Sequence, residues 1–494
     1  MQHITTDYLV IGAGTSGLAF VDTLIDHSDA HVTIVDRHGK PGGHWNDAYP
    51  FVTLHQPSAF YGVNSLALGS GLTDHVGLNR GLAELASGAE INGYFDRVMN
   101  QRLLPSGRVA YHPLCNYLGG GVFQSLLTGE KTQVTVRRKT VDANYFGPCV
   151  PSTHKRRFEV APGVLVEPPN ALPGLRQQAL KKTKGRSRVF LSARGADDGR
   201  RPGGAHESTT PVRYVVLGAG KTAMDVCIWL LQSGVSAQGI QWVVPRDSWL
   251  VNRITTQNGP EFFDDAIGGQ ANQMEAFARA SSTEDLFLRL EACGALLRID
   301  TTRMPSMFHL ATVSPDEVTV LRRLHNIVRL GRVLAVHATR LVLQHGEVPV
   351  APGSLFIDCT ASAVEPRATQ ALFQGDQMVL QMLRLPQPAF SAALAAYVET
   401  HFDDDKTKNR LCGPVPFPHT LDDYPRAMLA SMWNQFQWGQ DKALRQWMRQ
   451  SRLDGFGKLM ASAARDDQHK QAIIARLKDH AAAAIGNLQK LAAA

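Results

Sequence analysis

Two stretches of the chain share one order of apolar and polar positions. Residues 7–11 and 213–217 are short, largely apolar runs, which is typical of buried parallel strands. Each run leads into a glycine-rich turn and then into an apolar helical segment, and second strands are predicted at 31–35 and 240–244. This order of strand, turn, helix and strand predicts an α/β fold with two Rossmann-like dinucleotide-binding domains.

The first turn carries the complete Gly-x-Gly-x-x-Gly pattern. Gly12 permits the tight turn, Gly14 lets the backbone approach a pyrophosphate, and Gly17 allows the helix to pack closely on the strand. Asp36 ends the second strand, where a carboxylate accepts hydrogen bonds from the ribose hydroxyls of an adenosine. The cofactor contacts predicted from this pattern are Gly12, Ala13, Gly14, Thr15, Ser16, Gly17 and Asp36.

The second turn has alanine, Ala223, at the third glycine position. A P-loop is excluded, because Val215 stands where that motif requires glycine. The following strand ends near Arg246, and arginine at this place suits the 2′-phosphate of NADPH. The adjacent Asp247 leaves NADH open as an alternative. The contacts predicted here are Gly218, Gly220, Lys221, Thr222 and Arg246, with Lys221 adding positive charge near the phosphates.

Composition narrows the class of protein. A chain of 494 residues, 44% apolar and 19% charged, predicts a globular protein of two or three domains. The net charge of +7 suits anionic cofactors. Residues 181–201 hold eight basic side chains and a single aromatic, Phe190, which predicts a solvated insertion and no nucleic-acid site. No apolar stretch is long enough to span a bilayer, and a cleaved signal peptide would remove the first glycine turn, so a cytoplasmic protein is expected.

The six cysteines are widely spaced and form no C-x-x-C pair. A flavin disulfide reductase, which needs a redox-active pair, is therefore disfavoured. No zinc-type ligand cluster is present in the sequence either, and no metal is expected.

The segment after Asp36 resembles the class B flavoprotein monooxygenases, the group of flavin-containing and Baeyer–Villiger monooxygenases. Gly42, Gly43 and Trp45 match the group's Gly-Gly-x-Trp element, which packs beside the flavin. The resemblance implies that the first domain binds FAD. It adds to the predicted cofactor contacts Arg37, Gly43, His44 and Trp45.

The resemblance continues through a Tyr-x-x-x-x-x-Asn/Asp segment that begins at Tyr49. Its last position, near the reactive face of the flavin in the family, is held by His55. A histidine there is expected to donate a hydrogen bond to a flavin peroxide or to act as an acid or base near neutral pH. Gln56 is the second catalytic candidate. The family's Ala-Thr-Gly linker is matched loosely at Ala143, and a similar linker at 356–361 adds Asp358 to the predicted cofactor contacts.

One element of the family is missing. The identifying Phe-x-Gly-x-x-x-His motif does not fit, since His154 follows Gly147 by seven residues. The resemblance thus covers roughly residues 1–250 and the return strand. It implies an NADPH-dependent monooxygenase that uses molecular oxygen, through a flavin C4a-hydroperoxide, on a small organic substrate. The alternatives are an NADPH-dependent flavin reductase or dehydrogenase without oxygen insertion, and a non-catalytic redox sensor.

The predicted domain organisation follows from these assignments. The first part of the FAD domain spans 1–145, and the chain returns to this domain at 351–422. The NADPH domain spans 146–350 and includes a basic insertion, 181–204, and a helical insertion, 262–335. Residues 423–494 are predicted to form a helical C-terminal region.

Overall fold

A computed structural model describes residues 1–178 and 213–493. The predicted basic insertion, 181–204, lies outside the described residues. Each glycine turn follows an inner strand that pairs in parallel with both neighbours, and each leads into a buried helix. The prediction of an α/β fold with two Rossmann-like units is confirmed.

The first sheet is built from two distant parts of the chain. Its path is β19-β20-β6-β1-β2-β3, with the β4–β5 hairpin joined to β6. Helix α1 (Thr15–Asp26) packs between this sheet and α7 (Pro388–His401), so the apolar side chains of α1 lie in the largest core of the described chain. The elements are β1 (Gln2–Ile11), α1 (Thr15–Asp26), β2 (Val32–Val35), β3 (Val109–His112), β4 (Cys115–Gly119), β5 (Val122–Ser125), β6 (Lys131–Asp142), β19 (Phe373–Gln374), β20 (Gln377–Val379) and α7 (Pro388–His401).

The second sheet is parallel throughout and has the order β14-β10-β9-β18-β8. Because Leu355–Asp358 pairs with the central strand here, the chain leaves this unit after residue 358, and not at residue 351. The elements are β8 (Val166–Glu167), β9 (Tyr214–Leu217), α3 (Lys221–Gln232), β10 (Ile240–Val243), β14 (Ile327–Val328) and β18 (Leu355–Asp358).

Two smaller sheets flank the second unit. The segment 262–335, predicted to be helical, also contains short strands, because Met307–Val313 extends the edge of Ser248–Asn252. Their strands are β11 (Ser248–Asn252), β12 (Leu296–Leu297) and β13 (Met307–Val313) in one, and β7 (Glu159–Val160), β15 (Val333–Val336), β16 (Arg340–Leu343) and β17 (Gly346–Pro349) in the other.

The remaining helices surround the sheets, and the C-terminal region is helical. The last helix packs against the helix at 269–279 and covers a core formed by Phe277, Phe287 and Leu488. No described helix contains a stretch apolar enough to cross a membrane. The helices are α2 (Gly88–Arg97), α4 (Gly269–Arg279), α5 (Thr283–Ala292), α6 (Pro315–Leu321), α8 (Asp405–Leu411), α9 (Asp423–Gln440), α10 (Lys442–Gln450), α11 (Gly455–Ala461) and α12 (Gln468–Ala493).

Candidate dinucleotide sites

The first glycine turn connects β1 to α1 with almost no free space. Gly12 has a φ of +108°, a conformation that favours glycine. A Cβ on Gly17 would lie 2.0 Å from the carbonyl oxygen of Gly12, so glycine there lets α1 rest directly on the turn. The roles predicted for these two glycines match this geometry.

Both helices that follow a glycine turn begin without a side-chain cap. The N-cap residues are Gly14 for α1 and Gly220 for α3, and no side chain caps the backbone N–H groups at either helix start. A helix start leaves backbone N–H groups without partners, and phosphate groups are well suited to accept from them. Six other α-helices in the described chain have such a cap, from Ser87, Ser282, Ser314, Asp404, Asp441 and Asp454, while α4, α7 and α9 also begin without one.

Asp36 lies at the carboxyl end of β2, as predicted, but much of its hydrogen-bonding capacity is already used. One oxygen accepts from the backbone N–H of Ala13 at 2.6 Å. The other contacts both the backbone nitrogen and Nδ1 of His38, at 2.7 and 2.9 Å. A carboxylate has about four acceptor positions. Asp36 therefore has room for about one ribose hydroxyl, whereas the sequence suggested two.

His38 joins Asp36 to the end of the Gly-Gly-x-Trp element. Its Nε2 lies 2.8 Å from Oδ2 of Asp47, so the imidazole bridges two carboxylates. Hydrogen bonding to Asp36 raises the pKa of His38, although burial works against it, and Asp47 adds to the rise. Burial raises the pKa of Asp36, but its hydrogen bonds to His38 and Ala13 outweigh this and hold it below the usual value.

The Gly-Gly-x-Trp element lies against the first glycine turn. The N–H of Gly42 donates to the carbonyl of Ala13 at 2.9 Å, and Gly43 packs on Gly14. Trp45 donates from Nε1 to the hydroxyl of Tyr61 at 2.6 Å, and that hydroxyl also contacts Thr15 Oγ1. The element is thereby fixed beside the first helix start. Of the other predicted contacts, Ser16 is half-buried in α1, Arg37 is exposed, and burial lowers the pKa of His44 to about 4.

The second glycine turn is tight at its first glycine and open at its second. Gly218 has a φ of +116°, and a Cβ there would lie 2.5 Å from the carbonyl oxygen of Cys359. Trp242 Nε1 donates to the Gly218 carbonyl at 2.7 Å and fixes the turn on β10. A Cβ on Gly220 would meet no atom within 4 Å, so space for a ligand lies in front of the uncapped end of α3.

A shallow cleft, with an enclosed volume of only about 20 Å³, lies beside this turn, between Ala219 and the carboxyl ends of β10 and β14. Among its arginines, Arg298 is paired with Glu291 and Arg329 with Asp247. Arg246 makes no ion pair within the described part of the chain. Burial and the nearby positive charge of Arg332 both lower the pKa of Arg246. The sequence did not single out Arg298, Arg329 or Arg332, since their spacing matches no motif.

Asp247 is engaged by an arginine of the next strand region. Arg329 grips its carboxylate with Nε at 2.9 Å from Oδ2 and a terminal nitrogen at 3.1 Å from Oδ1. The carboxylate that kept NADH open as an alternative therefore already has an arginine partner within the protein, and Arg329 shares this contact with Asp300.

Lys221 differs from its predicted role. Its ammonium is buried, pairs with Asp225 one turn along α3, and lies 3.4 Å from Oε1 of Glu317. Because the amine at the start of a helix can fold back onto its own face, sequence position alone did not reveal these partners. Its charge is directed at carboxylates and not at the glycine turn. Thr222, the next residue, is half-buried near Tyr49.

His55 belongs to the first unit and lies close to Lys221 and Arg253 of the second. Burial, followed by these two positive charges, lowers the pKa of His55 to about 3. With that pKa the imidazole is neutral near pH 7, and the acid–base role stays a prediction. A neutral imidazole still offers one N–H donor. Gln56 is half-buried beside it and has no side-chain hydrogen bond among the described residues.

Asp358, a predicted cofactor contact, is engaged by side chains of the protein itself. It ends β18 in the second sheet, and its carboxylate accepts from Thr360 and contacts His154 at 3.0 Å and Arg156 at 3.2 Å. The carboxylate joins the two chain segments that connect the units, one around residues 154–156 and one that follows residue 358. We call this contact the linker junction. The motif-like residue His154 is thus part of this linker junction.

The fold and the two uncapped glycine turns define a protein with tandem Rossmann-like dinucleotide-binding units. Residues 10–65 match the family described as NAD(P)-binding Rossmann-like domain. The uncharacterized protein Rv2000 of Mycobacterium tuberculosis and the uncharacterized protein Mb2023 of Mycobacterium bovis are each 44% identical over 490 residues, covering 99% of this chain and 85% of theirs. The chain belongs to the family of these mycobacterial proteins.

Several solved structures are similar to this chain at low identity. A flavin-containing monooxygenase from Stenotrophomonas maltophilia is 12% identical, with coverage of 80% of this chain and 98% of that one and a TM-score of 0.42. The polycyclic ketone monooxygenase from Thermothelomyces thermophila is 11% identical, with coverage of 98% and 89% and a TM-score of 0.48.

Proposed function

We propose that the protein is an FAD-dependent oxidoreductase that takes a hydride from NADPH and uses molecular oxygen to oxygenate a small organic substrate. The observation that carries the proposal is the pair of uncapped helix starts at two glycine turns, one beside Gly-Gly-x-Trp and one beside the uncompensated Arg246. The catalytic and cofactor roles below rest on that arrangement.

The first unit fits FAD. The start of α1 offers N–H groups to a pyrophosphate, and Asp36 retains an acceptor for an adenosine hydroxyl. The Trp45–Tyr61–Thr15 hydrogen bonds fix the loop that would flank the ring system. When bound, the flavin supplies hydride acceptance and oxygen activation, chemistry that no side chain provides.

The second unit fits NADPH better than NADH. Arg246 has no carboxylate partner in the described chain, and Arg332 adds a second positive charge nearby. Such a site stabilises a 2′-phosphate. Asp247, which would favour a free 2′-hydroxyl, is held by Arg329. We therefore assign the 2′-phosphate to Arg246, with Arg332 as a supporting charge.

The residues where the units meet suit a role in orientation. His55 stays neutral above about pH 3 and can donate a single hydrogen bond toward the reacting group. Gln56, next to it, has a free amide among the described contacts. In this proposal His55 and Gln56 form hydrogen bonds that orient the reacting oxygen and the substrate, while protons come from solvent.

A reductase that transfers hydride without oxygen insertion is the second candidate. It is favoured by the missing family motif, whose closest histidine, His154, is held by Asp358 in the linker junction. A disulfide reductase is disfavoured, because all six thiols are unpaired and each has its pKa raised by burial.

The test begins with the purified protein. Released FAD in about equimolar amount, followed by anaerobic bleaching of the flavin by NADPH faster than by NADH, is the expected result. Arg246→Ala should raise the Kd for NADPH about 10–100-fold and leave NADH binding nearly unchanged, because a charge-assisted bond is worth about 1.5–3 kcal/mol. Arg279→Ala, an exposed arginine on α4, is the matched control.

Oxygen use separates the two candidates. A monooxygenase consumes oxygen and NADPH in equal amounts with an accepted organic substrate and yields an oxygenated product. A reductase returns the reduced flavin to its oxidised form with hydrogen peroxide as the oxygen product. Absence of bound flavin would refute the proposal altogether.

A further inference from the structure

A ring of buried hydrogen bonds and ion pairs ties the 49–55 segment to the second unit. At the first end of the segment, the Tyr49 hydroxyl donates to Oδ2 of Asp225 at 2.6 Å. Asp225 lies on α3 and pairs with Lys221, the first residue of that helix. The start of α3 and the start of the segment are therefore joined through two side chains.

At the other end of the segment, Arg253 holds the backbone of His55. The Arg253 side chain is 1% exposed, and its Nε donates to the His55 carbonyl at 3.0 Å. One terminal nitrogen pairs with Glu317 at 2.7 Å and the other donates to the Thr312 carbonyl at 3.3 Å. Because all three nitrogens are engaged, the planar guanidinium has one orientation.

Glu317 closes the ring. Its Oε1 lies 3.4 Å from Nζ of Lys221, and its Oε2 also accepts from the backbone N–H of Ser314 at 2.6 Å. Burial raises the pKa of Glu317, but Lys221 and Arg253 outweigh it and bring that pKa to about 2. The carboxylate is therefore charged at neutral pH. In order, the members of the ring are Tyr49, Asp225, Lys221, Glu317, Arg253 and His55.

We propose that Arg253 is a positioning residue that sets the distance between the nicotinamide cofactor and the flavin-facing segment. This inference rests on the proposed function. Under it, the end of α3 that begins with Lys221 receives the NADPH phosphates, and His55 lies on the flavin side. The ring has two cations and two carboxylates, so its charge is balanced, and removal of one member leaves another buried charge without its partner. The rate of hydride transfer falls steeply when the reacting groups are misplaced.

The kinetic test compares Arg253→Met with Arg253→Lys in FAD-loaded protein. Arg253→Met should lower the rate of flavin reduction by saturating NADPH about 10–100-fold, because a misplacement of about 1 Å has an effect of this size. The Kd for NADPH should change less than about threefold, since no phosphate contact is removed. Arg253→Lys, which retains the ion pair with Glu317, should recover part of the rate.

The matched control is Lys408→Met. Lys408 is also buried in an ion pair, with Glu399 at 2.6 Å, but it lies in α8, away from the ring. Its loss should lower stability while leaving the rate of flavin reduction unchanged. An equal fall in rate for Lys408→Met and Arg253→Met would mean general destabilisation and would overturn the proposal.

Hydrogen exchange of the cofactor-free protein gives a second readout. The Leu54 N–H, bonded to the Ala86 carbonyl at 2.9 Å, reports on the segment. Peptides covering 49–58 should exchange at least about tenfold faster in Arg253→Met and unchanged in Lys408→Met. Unchanged exchange in Arg253→Met would show that Arg253 does not hold the segment and would overturn the proposal. If the wild type is not reduced by NADPH, the proposed function and the kinetic role both fail, while exchange still decides whether Arg253 holds the segment.

Discussion

Replacing Gly17 by alanine tests the contact between α1 and the first glycine turn. The added Cβ would lie 2.0 Å from the Gly12 carbonyl oxygen, and an ordinary carbon–oxygen contact is about 3.3 Å. Helix and turn must therefore separate by about 1 Å. Helix α1 is buried along most of its length against the sheet and α7, so this movement disturbs the main core.

The expected magnitude follows from two opposed effects. Overpacking of this kind costs about 1–3 kcal/mol. Alanine in place of glycine inside a helix is favourable by about 1 kcal/mol. We therefore expect Gly17→Ala to lower the free energy of unfolding by up to about 2 kcal/mol and to weaken FAD binding, because the N–H groups of the turn move with the helix.

Gly93→Ala is the control for this experiment. Gly93 is exposed within α2, and a Cβ there would meet no atom within 4 Å. This variant should be slightly more stable than the wild type. Thermal unfolding with and without added FAD, together with the FAD content of each purified protein, gives the comparison. Wild-type stability and full FAD content in Gly17→Ala would refute the steric reasoning.

Three further changes probe the sites separately. Gly220→Ala should leave the free energy of unfolding unchanged, because the added Cβ meets no protein atom within 4 Å, but it should reduce NADPH affinity at least about tenfold, because the Cβ occupies the space in front of the helix start. Thermal unfolding measures the first effect and isothermal titration the second. FAD should dissociate faster as pH rises. The pKa of His38 is raised in the folded protein, so the protonated imidazole that bridges Asp36 and Asp47 at low pH loses its proton as pH passes that pKa. His38→Gln should abolish this pH dependence of the flavin-release rate. The rate of flavin reduction should show no titration of His55 from about pH 5 to 8, since its pKa is about 3, and His55→Asn should leave the shape of that pH profile unchanged.

Local spacing was sufficient to predict both Rossmann-like units. The tasks of Gly12, Gly17 and Gly218 depend on neighbours within one strand–turn–helix unit, and the structure places these residues as the pattern predicted. The fold class was predictable for the same reason. Asp36 was also located correctly, but its bonds to His38 were not foreseen, because motif spacing does not show which acceptors are already used.

The parts that sequence reasoning missed depend on residues far apart along the chain. Arg253 contacts His55 and Glu317, which lie 198 and 64 positions away, and no local pattern pairs them. The capping box from Ser314 to Glu317 joins residues three positions apart, whereas the ion pairs of Glu317 with Lys221 and Arg253 join distant ones. Likewise, Asp358 was assigned by resemblance, while its contacts with His154 depend on how the two linkers meet.

The pairing of β20 with β6 has a consequence for synthesis on the ribosome. Strand β6 ends at Asp142, but its neighbour begins at Gln377, and the helix that covers α1 ends at His401. At a synthesis rate of about 5–20 residues per second, the last strand of the N-terminal sheet and its covering helix are made on the order of tens of seconds after β6. During that interval the apolar face of α1 is exposed in the nascent chain, while the second unit is already being made. The unit that starts first is therefore expected to be completed last, and early termination of translation should leave a fragment that requires chaperones.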